Sequence, residues 1–426
     1  SIIVRGAGVN ASNSLPSKNV DENRLWQRHM EMAAIGGFGA GGVNRQAFSE
    51  EDNRARALML SWAEQLGLSV FFDPIGNLFF RYQPAGAKGD PVLTGSHADS
   101  QPTGGRFDGI YGVLAGFEAI EAIQQAGVSL QRPLEVVAWS NEEGSRFAPG
   151  AMGSMVFTGL RHLEEFLEAR DQDGIRLSDA LVSSLAVTAD AEARDVRYPI
   201  AAYVEAHVEQ GPVLEQTGKS IGVVTDIQGC RWFEVEVLGE TRHAGSTPLS
   251  VRRDAMQSAH RIVSALNAHF ADPTDTTRFT VGRFELRPNS PNTVADRACF
   301  TIDFRHPDQE VLAQKGDEVV ALAESVAAPC EVHVRESFSN PPVHFPAAVV
   351  DAVDQAADAL DIPRLKLPSG AFHDAMFLAD HCPTGMIFVP SRGGISHHPD
   401  EYTEPSQLAQ GARVLCDTLV NLANTI

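Results

Sequence analysis

The strongest constraint on the fold is the run Leu134–Trp139 (LEVVAW), which is almost uninterrupted in its apolar character. A strand with no polar face must be covered on both sides, the situation of a parallel strand between helix layers. Patterns of strand and helix alternate around it. Pro91–Gly95 reads as a strand, and Ile110, Val113, Leu114, Phe117, Ile120 and Ile123 then recur at helical spacing. Upstream, Ser49 precedes Glu50, Glu51 and Asp52 at the head of an Ala/Leu-rich stretch, which predicts a capped helix start. Ser69–Asp73 and Asn77–Tyr82 are β-type runs around Pro74-Ile75-Gly76, a hairpin signal. Alternation of this kind predicts an α/β layer fold.

The middle of the chain reads differently. Trp232–Val237 (WFEVEV) alternates strictly, Ala255–Ala268 is helical in pattern, and Arg278–Leu286 and Arg297–Phe304 read as strands. Asp308–Val326 is helical in pattern and Glu331–Val334 is a short strand. The order β-α-β-β-α-β predicts a small sheet with two helices, a self-contained ferredoxin-like α+β domain. From about residue 346 the pattern returns to helix, strand (Met386–Val389) and a final helix (Pro405–Asn424). We therefore expect a discontinuous catalytic domain, residues 1–216 and 336–426, interrupted by an inserted domain at 217–335.

Composition limits the partners. Lys+Arg number 34 and Asp+Glu 55, a formal charge of −21. Such a surface repels nucleic-acid phosphates and anionic membranes. No apolar run approaches the ~20 residues of a spanning helix, and Ser1–Gly6 does not read as a secretory signal. The cysteines are Cys230, Cys299, Cys330, Cys382 and Cys416, an odd number without a C-x-x-C pair. They read as reduced, buried thiols of a cytoplasmic protein.

Imidazoles and carboxylates concentrate where strands end. His97 and Asp99 follow one strand, and Asp108 stands at the start of the next helix. Glu142 and Glu143 follow the LEVVAW strand, Glu205-Ala206-His207 lies in a further segment, and His397-His398 follows a strand and a Gly-Gly loop. Open α/β sheets bind ligands outside the carboxyl ends of their strands, so these groups can converge. Mixed imidazole and carboxylate donors without thiolates suit Zn²⁺, Mn²⁺, Co²⁺ or Ni²⁺ at a reactive site. Three histidines and two acids exceed what one open metal site needs, and suit two ions that share a carboxylate. Any one of these pieces alone is an ordinary polar loop. His398 is read as a neighbour of His397, because consecutive side chains diverge. A nicotinamide-binding alternative lacks G-x-G-x-x-G between strand and helix.

These motifs resemble the M20 family of dinuclear metallohydrolases, in particular its amidase branch of N-carbamoyl-L-amino acid hydrolases, β-ureidopropionases and allantoate amidohydrolases. The resemblance runs through GGVNRQAFSEED (41–52), GSHADSQPTGGRFDGIYGVLAG (95–116), SNEEGSRF (140–147), EAHVEQGPVLE (205–215), HAGSTP (243–248), RRDA (252–255) and SHHPDE (396–401). It implies a mixed-sheet α/β/α metallopeptidase-like domain with an inserted lid and dimerisation domain. It implies that Asp108 bridges two ions, that His97 and His207 complete one and Glu143 and His397 the other, and that Glu142 is the general base. Asp99 would stand behind His97 and fix its tautomer. His243 would stabilise an oxyanion, serving its own site or that of the partner subunit. Gln210, Asn292, Arg305 and Gly370 would hold the substrate, Arg305 by forking onto a carboxylate.

The implied reaction is hydrolysis of the ureido C–N bond of an N-carbamoyl-L-amino acid to amino acid, ammonia and CO₂. Allantoate or another ureide is the alternative, followed by an N-acyl amino acid or dipeptide. One departure bears on this choice. The branch reads Gly-Ala-Gly-His-Asp-Ala where this chain has Gly370-Ala371-Phe372-His373-Asp374-Ala375, so an aromatic ring replaces a close backbone approach.

Overall fold

The computed structural model describes residues 15–426; Ser1–Gly6 lies outside the described residues. The chain divides into two compact units, one running up to Thr225 and resuming at Phe345–Ile426, the other Asp226–His344. The expected junctions at 216/217 and 335/336 each precede the observed ones by nine residues.

The first unit is built on a large mixed sheet. At its centre Thr384–Val389, Ala202–Val208, Val92–His97 and Leu134–Trp139 lie side by side and parallel. Every residue of these four strands is buried. That burial accounts for the uninterrupted apolar run Leu134–Trp139. Because the strands are parallel, their carboxyl ends share one edge. Leu78–Tyr82 joins antiparallel to Leu134–Trp139 and forms the expected hairpin with Ser69–Phe72.

Helix Ile110–Ala126 covers the sheet. Gly112 and Gly116 let it approach closely: a Cβ on Gly116 would sit 3.0 Å from Val136. The last helix, Pro405–Thr425, packs over it, and the Tyr111 hydroxyl donates to the Leu408 carbonyl at 2.9 Å. Helix Glu50–Leu66 starts as its sequence requires, with Ser49 Oγ accepting the Asp52 N–H. Among the described residues no helix is long and apolar enough to cross a membrane.

Helix Glu22–Ala33 buries His29 against the rings of Phe107 and Tyr111, 5.3 and 5.9 Å between centroids. Burial pushes the His29 pKa down to about 3. The folded state therefore refuses a proton that the unfolded chain takes up below about pH 6.5. The stabilisation from a neutral His29 is complete above that pH and is lost as the pH falls towards 3. Between pH 6.5 and 4.5 this group alone removes about 2 kcal/mol. Denaturant titrations of the parental protein and His29→Phe at these two pH values should differ by that amount in their acid loss. Equal acid losses would show that His29 does not carry the effect.

The second unit is a five-stranded antiparallel sheet packed on helices. Gly229–Leu238, Arg297–His306 and Glu331–Asn340 are its long strands, and helix Ala255–His269 lies on one face. The spatial order is fourth, first, third, second, where the second strand consists of Arg278–Thr280 and Phe284–Arg287. Two continuous elements of the sequence reading are thus interrupted. Arg278–Leu286 loses pairing around Gly282. Asp308–Val326 becomes two helices, Gln309–Asp317 and Val319–Val326. The break falls at Glu318, and the Arg231 guanidinium packs on the end of the first helix, donating to the carbonyls of Leu312 and Ala313 at 3.3 and 3.1 Å. In Arg297–His306 even-numbered residues pack inward and odd-numbered ones, including Asp303 and Arg305, occupy the other face.

Candidate metal centre

The four parallel strand ends deliver the candidate ligands. His97 is the last residue of its strand, and its ring lies against Gly109. Gly109 has φ of +70° and a Cβ there would collide with that ring, so glycine is required on both counts. Asp108 immediately precedes Gly109 at the start of helix Ile110–Ala126. His207 is the penultimate residue of strand Ala202–Val208. Glu142 and Glu143 follow Asn141, and His397 lies in the loop beyond Thr384–Val389. Asn141 (φ +51°) and His397 (φ +53°) are both held in the left-handed region, strain of the kind that functional sites retain.

Asp108 is the centre of the arrangement. Its Oδ1 lies 3.3 Å from His207 Nε2 and 3.7 Å from His97 Nε2. Its Oδ2 lies 3.0 Å from His397 Nε2, which is 3.3 Å from Glu143 Oε2. One carboxylate thus belongs to two donor groups, His97–Asp108–His207 and Asp108–Glu143–His397, each with its ligand atoms within 4.8 Å of one another. Glu142 Oε2 stands 3.2 Å from His97 Nε2.

The rings are aimed from behind. His97 Nδ1 donates to the Asp99 carbonyl at 2.9 Å and His207 Nδ1 to the Val208 carbonyl at 2.8 Å. A carbonyl only accepts, so each Nε2 is turned to the cluster. The expected partner of His97 was the Asp99 carboxylate. That group stands further off, at 3.5 Å, and instead accepts the backbone N–H groups of Glu142 and Glu143 at 3.2 and 3.1 Å. Asp99 therefore orients Glu142 and Glu143 through its side chain, and His97 through its backbone.

The electrostatics call for cations. Asp108, Glu142 and Glu143 crowd into one buried space. Burial raises the Glu142 pKa well above the carboxylate range, and burial with the Asp108 charge pushes Glu143 up to about 7. Burial would also raise Asp108, but the His207 and His397 imidazoles outweigh it and hold that carboxyl well below its usual range. Hydrogen bonds to Asp108 and Glu143 raise His397 to about 11. His97 Nε2 is buried without a hydrogen-bond partner among the described residues. An orphaned imidazole nitrogen facing two overlapping sets of hard and borderline donors fits divalent ions. A third grouping, Glu205–His207–His373, is already occupied. Glu205 accepts from Ser96, Tyr203 and Ala375, and His373 Nε2 bonds Ser369 Oγ at 2.8 Å.

The remaining sequence candidates are placed as follows. Gln210 donates to Ser396 Oγ at 2.9 Å and reaches Asp108 Oδ2 at 3.4 Å, so it abuts the ligand set. Gly370 opens the loop after strand Arg364–Ser369, with Phe372 half-buried in it. His398 is exposed and outside the cluster. In the second unit, His243 bridges to Thr293, beside Asn292. His243 Nδ1 accepts from the N–H groups of Gly245 and Ser246, so its neutral ring carries the proton on Nε2. Arg305 does not stand apart as a simple fork for a ligand: Nε and Nη2 grip Asp303 at 2.9 and 3.0 Å. The sequence reading assigned no role to Gln101, which donates to Glu143 Oε2 at 2.8 Å, or to Glu401, which accepts the Asp108 N–H. Their only signal was proximity in sequence to Asp99 and His397.

Fold and donor set together have the character of an α/β metallohydrolase. The chain belongs to peptidase family M20/M25/M40, whose profile matches residues 93–421. It is 39% identical over 408 residues to an N-carbamoyl-L-amino acid amidohydrolase of Geobacillus stearothermophilus, covering 95% of this chain and 99% of the relative. It is 34% identical over 394 residues to an allantoate amidohydrolase of Bacillus subtilis, covering 92% and 95%. A crystal structure of an amidase of the hydantoinase/carbamoylase family from Burkholderia multivorans superposes with a TM-score of 0.89 at 44% identity, covering 96% of this chain and 99% of that one.

Proposed function

We propose that this chain is a two-ion amidohydrolase cleaving the carbamoyl C–N bond of N-carbamoyl-L-amino acids to amino acid, ammonia and CO₂. The observation that carries the reading is Asp108, with one oxygen in each of two imidazole–carboxylate groups. The names of the full-length relatives support the substrate class.

In this reading His97 and His207 hold one ion, Glu143 and His397 the other, and Asp108 is shared. Bound Zn²⁺, Mn²⁺, Co²⁺ or Ni²⁺ supplies Lewis acidity that acidifies water and polarises a carbonyl. Glu142 takes the proton of the attacking water and returns it to the leaving nitrogen. Its burial suits it to hold that proton in between. The water oxygen becomes bonded to the carbonyl carbon, the bond from that carbon to the amino-acid nitrogen breaks, and the protonated nitrogen leaves; the carbamic acid released then falls apart into ammonia and CO₂. His243 donates from Nε2 to the developing oxyanion. Gln210, Asn292, Arg305 and Gly370 are assigned to the substrate, with Arg305 held rigid by Asp303 for a carboxylate. A homodimer formed through the second unit and a reducing, cytoplasmic setting complete the proposal. The free state of all five cysteines supports the latter, and sedimentation velocity tests the former.

Allantoate is the second reading, favoured by the similarity to allantoate amidohydrolase and by Phe372 in the loop beside the site. A panel of N-carbamoyl-L-amino acids, allantoate, N-acetyl amino acids and dipeptides, read by product release from protein loaded with each of the four metals, separates the readings. The highest kcat/KM is expected on an N-carbamoyl-L-amino acid. A larger value on allantoate would replace the first reading with the second, and activity on N-acyl substrates alone would overturn both.

A further inference from the structure

Glu401 is outside the ligand set, yet it is 1% exposed and its carboxylate is turned to the site. Its Oε1 accepts the backbone N–H groups of Phe107 and Asp108 at 2.9 and 2.8 Å. Its Oε2 accepts from Ser396 Oγ at 3.2 Å. Ser396 Oγ in turn accepts a hydrogen bond from Gln210 Nε2, the amide that reaches Asp108 Oδ2. The Glu401 backbone N–H bonds the His398 carbonyl at 3.0 Å, so its own turn closes beside His397. A Cβ on Gly105 would lie 2.6 Å from that of Glu401, so the Asp108 loop is packed on the glutamate stem as well as bonded to its head.

These contacts join loops separated by 293 residues, one ending in Asp108 and the other carrying His397. His397 has a strained backbone and a side chain 47% exposed, so packing of its own ring does not fix it. Two convergent N–H groups and a hydroxyl are satisfied by a carboxylate with its several lone pairs, and truncation leaves buried donors unpaired.

We propose that Glu401 is a positioning residue that sets the separation of Asp108 from His397 and so builds the Asp108–Glu143–His397 half of the centre. The proposal rests on the two-ion reading above. It assigns Glu401 to one half selectively, whereas a merely structural residue would weaken both halves or the fold.

The test is titration of metal-free protein with Co²⁺, read by visible absorption and by ions retained against a chelator. The parental protein should bind two ions. Glu401→Ala should bind one with nearly parental affinity and the other about 10–100-fold more weakly. Glu401→Gln keeps an acceptor oxygen for both N–H groups and should recover to within a few-fold. Two parental affinities in Glu401→Ala, equal weakening of both ions, or a Gln variant as weak as Ala would each overturn the proposal. If Glu401→Ala does not fold, Gly105→Ala displaces the same stem and should weaken the same ion; unchanged binding in that variant overturns the proposal. A parental protein that binds fewer than two ions overturns the two-ion reading itself, and this proposal with it.

Discussion

Glu142→Gln is expected to lower turnover by about 10²–10⁴-fold, the usual worth of a positioned general base, while retaining both ions. The substitution is nearly isosteric and removes only the capacity to accept a proton. The backbone that carries Glu142 is fixed independently, its N–H on Asp99 Oδ1 and its carbonyl accepting from Ala151 N at 2.7 Å. The proposed ligand Glu143 has its own tether to the other Asp99 oxygen and to Gln101. Metal content should therefore not change. KM should change little, because the lost interaction exists only while a proton moves. The base must be ionised to act, so an acid limb of the parental kcat/KM profile that belongs to Glu142 should disappear in the variant. Near-parental turnover would remove Glu142 as the base. Loss of an ion would make it a ligand, and the roles of the adjacent glutamates would have to be exchanged.

That pair illustrates what the sequence carries and what it does not. The LEVVAW run announces a strand covered on both faces, and parallel neighbours then bring His97, Glu142, Glu143, His207 and His397 to one edge. Strand ends are legible because apolar runs stop there and polar residues begin. Contacts made across space by the backbone are not. His97 is oriented by a carbonyl, which every residue possesses, so no residue type at position 99 could signal it. Glu401 meets Asp108 through backbone N–H groups 293 positions away. The resemblance leads one to expect a carboxylate fork at Arg305, and Asp303 two residues earlier on the same strand face supplies a carboxylate from the protein itself. Alternation along a strand makes such i, i+2 pairs foreseeable, and this one was legible in Asp303-Phe304-Arg305.

The largest effect is expected from Asp108→Ala, which should abolish uptake of both ions together. Every other proposed ligand serves one ion, so Glu143→Ala or His397→Ala should weaken one and leave a singly loaded protein. Asp108 offers Oδ1 to the His97–His207 group and Oδ2 to the Glu143–His397 group, and alanine removes both at once. Loss of a charged ligand at contact distance amounts to several kcal/mol even in a screened protein interior. Each ion should then bind at least about a hundredfold more weakly, and activity should fall by roughly 10³-fold or more. A readout independent of turnover is available. Ions that bind only the folded protein stabilise it by about 2.7 kcal/mol at a hundred times their Kd, so metal should raise the parental melting temperature. Asp108→Ala should show no such rise. A variant that lost one ion and kept the other at parental affinity would show that Asp108 does not bridge, and the shared-carboxylate centre would give way to two separate sites.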